Sequence, residues 1–200
     1  MASAPSEQNL IDDTPPVAVK IVIGGGFGAG KTTLVSAISE TMPLLTEEYL
    51  TDRSLGVDDT AAVAQKATTT IVMDFGRITI NHNLVLYLFG TPGQDRFLFL
   101  WDELALGAVG AVVLADTRRL ADCFPSVDYF EQRRTPFVVA VNCFDGTTEY
   151  SPDQVRTALN LDPEVPVLLC DARERDSAKE VLIAVVERAM SSQRPRESAA

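Results

Sequence analysis

The segment Gly25-Gly26-Phe27-Gly28-Ala29-Gly30-Lys31-Thr32 has the spacing G-x-x-x-x-G-K-[ST]. Glycines so spaced let successive backbone N–H groups curl around an anion, at the positive end of a helix that starts where the loop ends. The lysine of such a loop reaches the β- and γ-phosphates of a nucleotide, and the hydroxyl that follows it ligates magnesium. The candidate phosphate cradle is therefore Gly25, Gly26, Phe27, Gly28, Ala29, Gly30, Lys31, Thr32 and Thr33, with Thr32 as a metal ligand. This loop accepts any nucleoside triphosphate. The base and the fate of the phosphate must be decided elsewhere in the chain.

The elements around the loop are those it needs. Val17 to Ile23 is a β-branched run that reads as a strand buried in a parallel sheet. A helix is expected from Lys31 to about Thr41, ended by Pro43. That strand–loop–helix context separates the motif from a glycine-rich turn with an incidental lysine. The stretch from Leu44 to Thr69 is long and mixed, as functional or mobile loops are. Thr70–Phe75 with Arg77–Ile80, and then Leu84–Phe89, read as an antiparallel hairpin. Beyond it the pattern predicts a helix at 95–106, strands at 109–114, 137–141 and 165–170, and helices at 122–132, 152–159 and 177–190. Strands alternating with helices imply an α/β fold with a mostly parallel sheet covered on both faces. Ligands of such sheets bind beyond the carboxyl ends of the strands.

Composition narrows the class. The chain has 200 residues, 46% hydrophobic and 22% charged, which suits one soluble globular domain. Its formal net charge of −11 repels nucleic acid and anionic lipid, so a phosphate ligand needs a local positive site. Cys123, Cys143 and Cys170 have no metal-ligand spacing and fit a reducing compartment as small core residues. No basic and apolar leader, N-terminal myristoylation glycine, prenylation cysteine or membrane-length apolar run is visible. A cytoplasmic protein, brought to a membrane by partners if at all, is the expectation. Residues 1–16 read as a loose arm, 17–191 as one domain and 192–200 as a tail.

Four later segments, each placed after or at a predicted strand, join the phosphate loop to give a resemblance to the Ras-like small GTPases over residues 17 to 190. Within that group the chain looks most like the bacterial MglA-like proteins, and more narrowly the conservon-encoded GTPases of actinobacteria. The resemblance implies a three-layer P-loop NTPase fold, about six strands with one antiparallel edge strand, and GTP or GDP with Mg²⁺ as ligands. Thr70 then corresponds to the switch I threonine that ligates magnesium, with Thr69 a register-shifted competitor. Thr91-Pro92-Gly93-Gln94 resembles switch II, with Gly93 approaching the γ-phosphate and Gln94 orienting the attacking water. Catalytic roles fall to Lys31, Thr70 and Gln94.

Asn142-Cys143-Phe144-Asp145 looks like the guanine signature N-K-x-D, with Cys143 where lysine is usual. Asp145 would accept from guanine N1–H and the exocyclic amine, a donor pair that adenine lacks, while Asn142 braces the phosphate loop. Cys170-Asp171-Ala172-Arg173 resembles the final S-A-K motif, with the Ala172 N–H meeting guanine O6 and Arg173 stacking over base or ribose.

Three departures from Ras relatives point to slow turnover: Gly90 where a magnesium-side aspartate stands, Phe27 in place of a glycine, and Thr69 where MglA-like proteins carry an arginine. The expectation is therefore a switch that needs an activating partner, which the resemblance suggests is a Roadblock/LC7-type protein tied to a membrane sensor. The rivals are a nucleotide-sensing scaffold with negligible hydrolysis and a P-loop kinase. The residues left over read blandly. His82 lies in a polar turn, and Asp122, Asp128 and Glu131 form a solvated helix face. Phe97, Phe99 and Trp101 are either core or an apolar face read by a partner.

Overall fold

A computed structural model of the chain describes residues 15–41, 46–50, 69–93, 95–144 and 149–193. The elements run β1 (Val17–Gly24), α1 (Lys31–Ile38), β2 (Thr46–Leu50), β3 (Thr69–Met73), β4 (Phe75–Asn81), β5 (Leu84–Gly90), α2 (Trp101–Ala105), β6 (Ala108–Ala115), α3 (Phe124–Gln132), β7 (Phe137–Asn142), α4 (Pro152–Ala158), β8 (Val167–Cys170) and α5 (Arg175–Gln193). The main sheet has six strands in the order β4-β5-β1-β6-β7-β8, and only the β4–β5 pair is antiparallel. This is the P-loop NTPase arrangement expected from the sequence.

Alternation along the strands divides the core. Ile21 and Ile23 face α1 and α5, where they meet Leu34, Val35, Val181 and Val185. Val22, between them, faces the opposite layer with Val113, Val127, Phe130 and Val155. A parallel strand covered on both sides must be apolar at successive positions, which is why β1, β6 and β7 carry continuous valine, isoleucine and alanine runs. Phe130 is completely buried and packs near Trp101, Tyr129 and Phe137. Phe130→Ala should lower stability by about 3–5 kcal/mol, read as a lower urea midpoint with unchanged slope.

Several boundaries differ from the sequence reading. The stretch read as a loop contains β2, which pairs antiparallel with β3 in a separate two-stranded ribbon. The run Thr70–Phe75 is therefore not the first arm of the hairpin; that arm is β4, and the chain changes sheets at Asp74. The side chain of Asp74 turns inward to the Thr32 hydroxyl, and Gly76 packs under α1, where a Cβ would come within 2.8 Å of Val35. The helix expected at 95–106 is a 3₁₀ turn, Asp95–Leu100, followed by α2. Likewise a 3₁₀ turn, Thr117–Cys123, precedes α3, whose first turn holds Pro125. α1 is shorter than expected because Ser39 turns extended. β8 starts two residues later than expected, beyond Pro166, which has no N–H for the ladder. α4 opens with a reciprocal capping box between Ser151 and Gln154. Among the described residues no helix is long and apolar enough to cross a membrane.

Candidate functional site

The carboxyl ends of β1, β6, β7 and β8 converge near the glycine loop, which is held from β7 and α3. Gly25 donates its N–H to Ser126 Oγ on α3 at 2.9 Å. Gly30 has φ +105°, and a Cβ there would lie 2.6 Å from Asn142 Nδ2, so only glycine lets α1 start this close to β7. Asn142 is buried and ties two loops together: its Nδ2 donates to the Ala29 carbonyl at 3.0 Å and its Oδ1 accepts from the Ala172 N–H at 3.1 Å. The Ala172 N–H thus has a partner within the protein.

Lys31 is 8% exposed, and its amine donates to the carbonyls of Gly25 and Gly26, each at 2.8 Å. Burial pushes this ammonium down to about 8, opposed by the nearby Asp74 carboxylate. A phosphate brought against it would favour the charged form. The Thr32 hydroxyl donates to Asp74 Oδ2 at 2.8 Å, while Asp74 Oδ1 is buried with no hydrogen-bond partner among the described residues. A buried carboxylate with one such oxygen, beside a threonine hydroxyl, is a donor set suited to a divalent cation or its water shell.

Asp74 is the residue that sequence reasoning missed. Its carbonyl accepts from Gly90 N–H at 2.8 Å, and a Cβ on Gly90 would lie 2.9 Å from both Asp74 Cβ and Oδ2. The space beside Gly90 is thus filled by a carboxylate from the neighbouring chain segment. The available signal was a lone acid in the apolar run Thr70–Phe75.

Thr91 is buried and its N–H donates to the Ile23 carbonyl at 2.8 Å, which anchors the turn after β5 to the end of β1. Gly93 then comes over the phosphate loop: a Cβ on it would stand 2.8 Å from Lys31 Nζ and 3.0 Å from Phe27 N. Phe27, Gly28, Lys31, Thr32, Asp74 and Gly93 are among the residues lining a cleft of about 390 Å³. Thr33 is exposed on its wall. The Phe27 side chain is 64% exposed. A larger apolar groove of about 530 Å³ lies between β4, β5 and α5, away from these polar groups.

At the ends of β7 and β8, Arg173 forks onto Asp171 at 2.9 and 2.7 Å and its hydrogen bonds pull that carboxyl down to about 2. Cys143 is half-buried, and its N–H donates to the Cys170 carbonyl at 2.7 Å. Arg118 lies over the Phe144 ring, 3.7 Å from its centroid, and forks onto Asp116 at 2.8 Å. Gln94 and Asp145 lie outside the described residues. Thr70 is in β3, with only its backbone described. Asp122, Asp128 and Glu131 are exposed, as read, and Asp122 also packs its Cβ against the loop, 2.4 Å from where a Cβ on Gly26 would be. The aromatics divide between the two alternatives, Phe97 and Trp101 buried and Phe99 exposed. His82 is exposed, as read.

A family model described as "Conserved hypothetical ATP binding protein" matches residues 22–192. An uncharacterized protein of Methanocaldococcus jannaschii is 27% identical over 129 residues, which cover 64% of this chain and 71% of that protein. Among solved structures, the G domain of the T. maritima FeoB iron transporter matches with a TM-score of 0.59 at 17% identity, covering 86% of this chain and 99% of that one. The cytosolic domain of the same transporter, in a GDP form, matches with a TM-score of 0.63 at 16% identity, covering 91% of this chain and 66% of that one. At such identities the structural likeness is one of fold.

Proposed function

The chain belongs to that family of conserved hypothetical ATP-binding proteins, and we propose that it is a guanine-nucleotide switch: it binds GTP or GDP with Mg²⁺ and hydrolyses GTP slowly. The observation that carries this reading is the meeting of Lys31, the Thr32–Asp74 pair and Gly93 at one cleft. A loop after β5 that rests on the phosphate loop is placed to sense whether a terminal phosphate is present. Loop N–H groups and Lys31 would hold the phosphates. Thr32 and Thr70 would hold Mg²⁺, with Asp74 behind Thr32, and the ion would neutralise phosphate charge. Gly93 would approach the γ-phosphate and Gln94 would orient the water.

The base assignment rests on Asp145 and on Asn142 braced between Ala29 and Ala172, with Arg173 beside them. FeoB structures in GDP and GMPPNP forms have the same fold, which supports guanine; the family's description speaks of ATP. The wider reading keeps the MglA-like resemblance. It is a bacterial signalling switch, of the conservon type, regulated by a Roadblock/LC7-type partner in a membrane sensor complex.

The test is affinity for GTP, GDP and ATP with magnesium, on wild type and Asp145→Asn. Guanine nucleotides should bind tightly and lose about 10²-fold or more in the variant, with ATP a poor competitor. Equal binding of ATP, or no effect of the substitution, overturns the guanine reading and leaves an ATP-binding P-loop protein.

A further inference from the structure

One arginine reaches the phosphate loop from a distant part of the chain. Arg119 lies in the 3₁₀ turn after β6, at a break in that turn with φ −144° and ψ 52°. Its Nη2 donates to the Phe27 carbonyl, 92 positions away in sequence, and pairs with Asp122 at 3.0 Å. Asp122 in turn packs on Gly26, so the whole turn is pressed against the outer wall of the loop. Phe27 is also the residue whose backbone meets Gly93, beside the Lys31 amine. In the reading above, this is the terminal-phosphate end of the cradle.

The neighbouring cations are differently engaged. Lys31 is held by the Gly25 and Gly26 carbonyls, and Arg118 by Asp116 and the Phe144 ring. Arg119 keeps Nε and Nη1 without a partner among the described residues, and its side chain is 53% exposed. A guanidinium with donors to spare, anchored on a carbonyl of the loop that would cradle the phosphates, is available to meet negative charge there.

We infer that Arg119 is the chain's own charge-stabilising arginine for hydrolysis of the terminal phosphate, supplied in cis; the inference rests on the GTP-hydrolysing reading. In that step a water oxygen bonds to the γ-phosphorus, and the bond from phosphorus to the β–γ bridging oxygen breaks. The electron pair stays on the terminal β-phosphate oxygen of GDP, and both protons of the water leave with inorganic phosphate as dihydrogen phosphate. Charge grows on the bridging oxygen, and Arg119 moves from the Phe27 carbonyl to neutralise it while Asp122 keeps the guanidinium aimed. The side chain thereby supplies internally what other switches take from a partner.

The experiment is single-turnover GTP hydrolysis with magnesium, on the full chain as wild type, Arg119→Ala and Arg119→Lys. GTP and GDP affinities and trapping of GDP with aluminium fluoride are measured alongside. Arg119→Ala should slow hydrolysis about 10³-fold and lose the aluminium fluoride adduct, with both affinities within about threefold of wild type. Arg119→Lys should keep affinity and recover little of the rate, because an ammonium cannot bridge two oxygens as the planar fork does. Equal losses of GTP and GDP affinity with an unchanged rate at saturation would show that Arg119 only braces the loop. Wild type that binds GTP and never cleaves it sinks the arginine together with hydrolysis. Failure to bind GTP at all removes the nucleotide reading itself.

Discussion

Lys31→Ala should weaken nucleotide binding by roughly 10²–10⁴-fold, the largest loss expected from any single substitution in the cleft. The magnitude follows from losing about two charge-assisted hydrogen bonds to phosphate, at about 1.5–3 kcal/mol each. It should carry a second signature in the protein without ligand. Lys31 is the cation that opposes the buried Asp74 carboxylate, and its amine satisfies the Gly25 and Gly26 carbonyls. Removing it takes a donor from the Gly25 carbonyl and the opposing cation from Asp74, while the Gly26 carbonyl keeps the Ala29 N–H, so stability should fall by about 1–3 kcal/mol. Adding Asp74→Asn to Lys31→Ala should restore part of that stability and none of the affinity. Calorimetric melting of the four proteins of this cycle measures the coupling, and strict additivity would mean the two groups do not interact.

Asp74→Asn alone should act chiefly on the ion. Affinity for nucleotide in the presence of magnesium should drop about 10–100-fold, the usual effect of losing a carboxylate behind a metal ligand. Without magnesium the affinity should change little. The ligand-free protein should lose less stability than Lys31→Ala does, because the buried Lys31 ammonium loses the carboxylate that opposes its desolvation while one unpartnered carboxylate oxygen is removed. The swap Asp74→Gly with Gly90→Asp returns a carboxylate to the same space from the other side of the pair, since Gly90 lies against Asp74. It should recover part of the magnesium effect, whereas Gly90→Asp alone overpacks the site and costs about 1–3 kcal/mol. A magnesium dependence that survives Asp74→Asn unaltered would remove this residue from the metal site.

What the sequence made legible follows a physical divide. The order of elements and the six-stranded sheet were readable because strands buried on both faces must be continuously apolar, and because the glycine loop announces both its strand and its helix. Asn142, Ala172 and Gly93 were findable because each sits in a short segment that follows a strand. Asp74 and Arg119 were not: the first is marked locally only as a lone acid in an apolar run, and the second by nothing local at all. One gains meaning only from the glycine that yields it room, the other only from a carbonyl far away in sequence. The ribbon of β2 and β3 was also hidden, because Thr46–Leu50 has no apolar period to set it apart from a loop. The helix expected after the Thr91-Pro92-Gly93 turn broke into a 3₁₀ turn and a short α-helix, a distinction that residue periodicity at this length does not resolve.

The Asn142 amide has a consequence for how any ligand is felt. One planar group holds Ala29 on one side and Ala172 on the other, so the phosphate cradle and the base-side loop cannot be displaced independently. A ligand that fills only one half would immobilise the other half as well, and gain no contacts from doing so. A ligand with both a base and a phosphate chain meets the two halves already in register. On the reading proposed above, the site would discriminate by wholeness, as a chelator does: a preference for an intact nucleotide over the separate pieces would be written into a single side chain that need not touch the ligand.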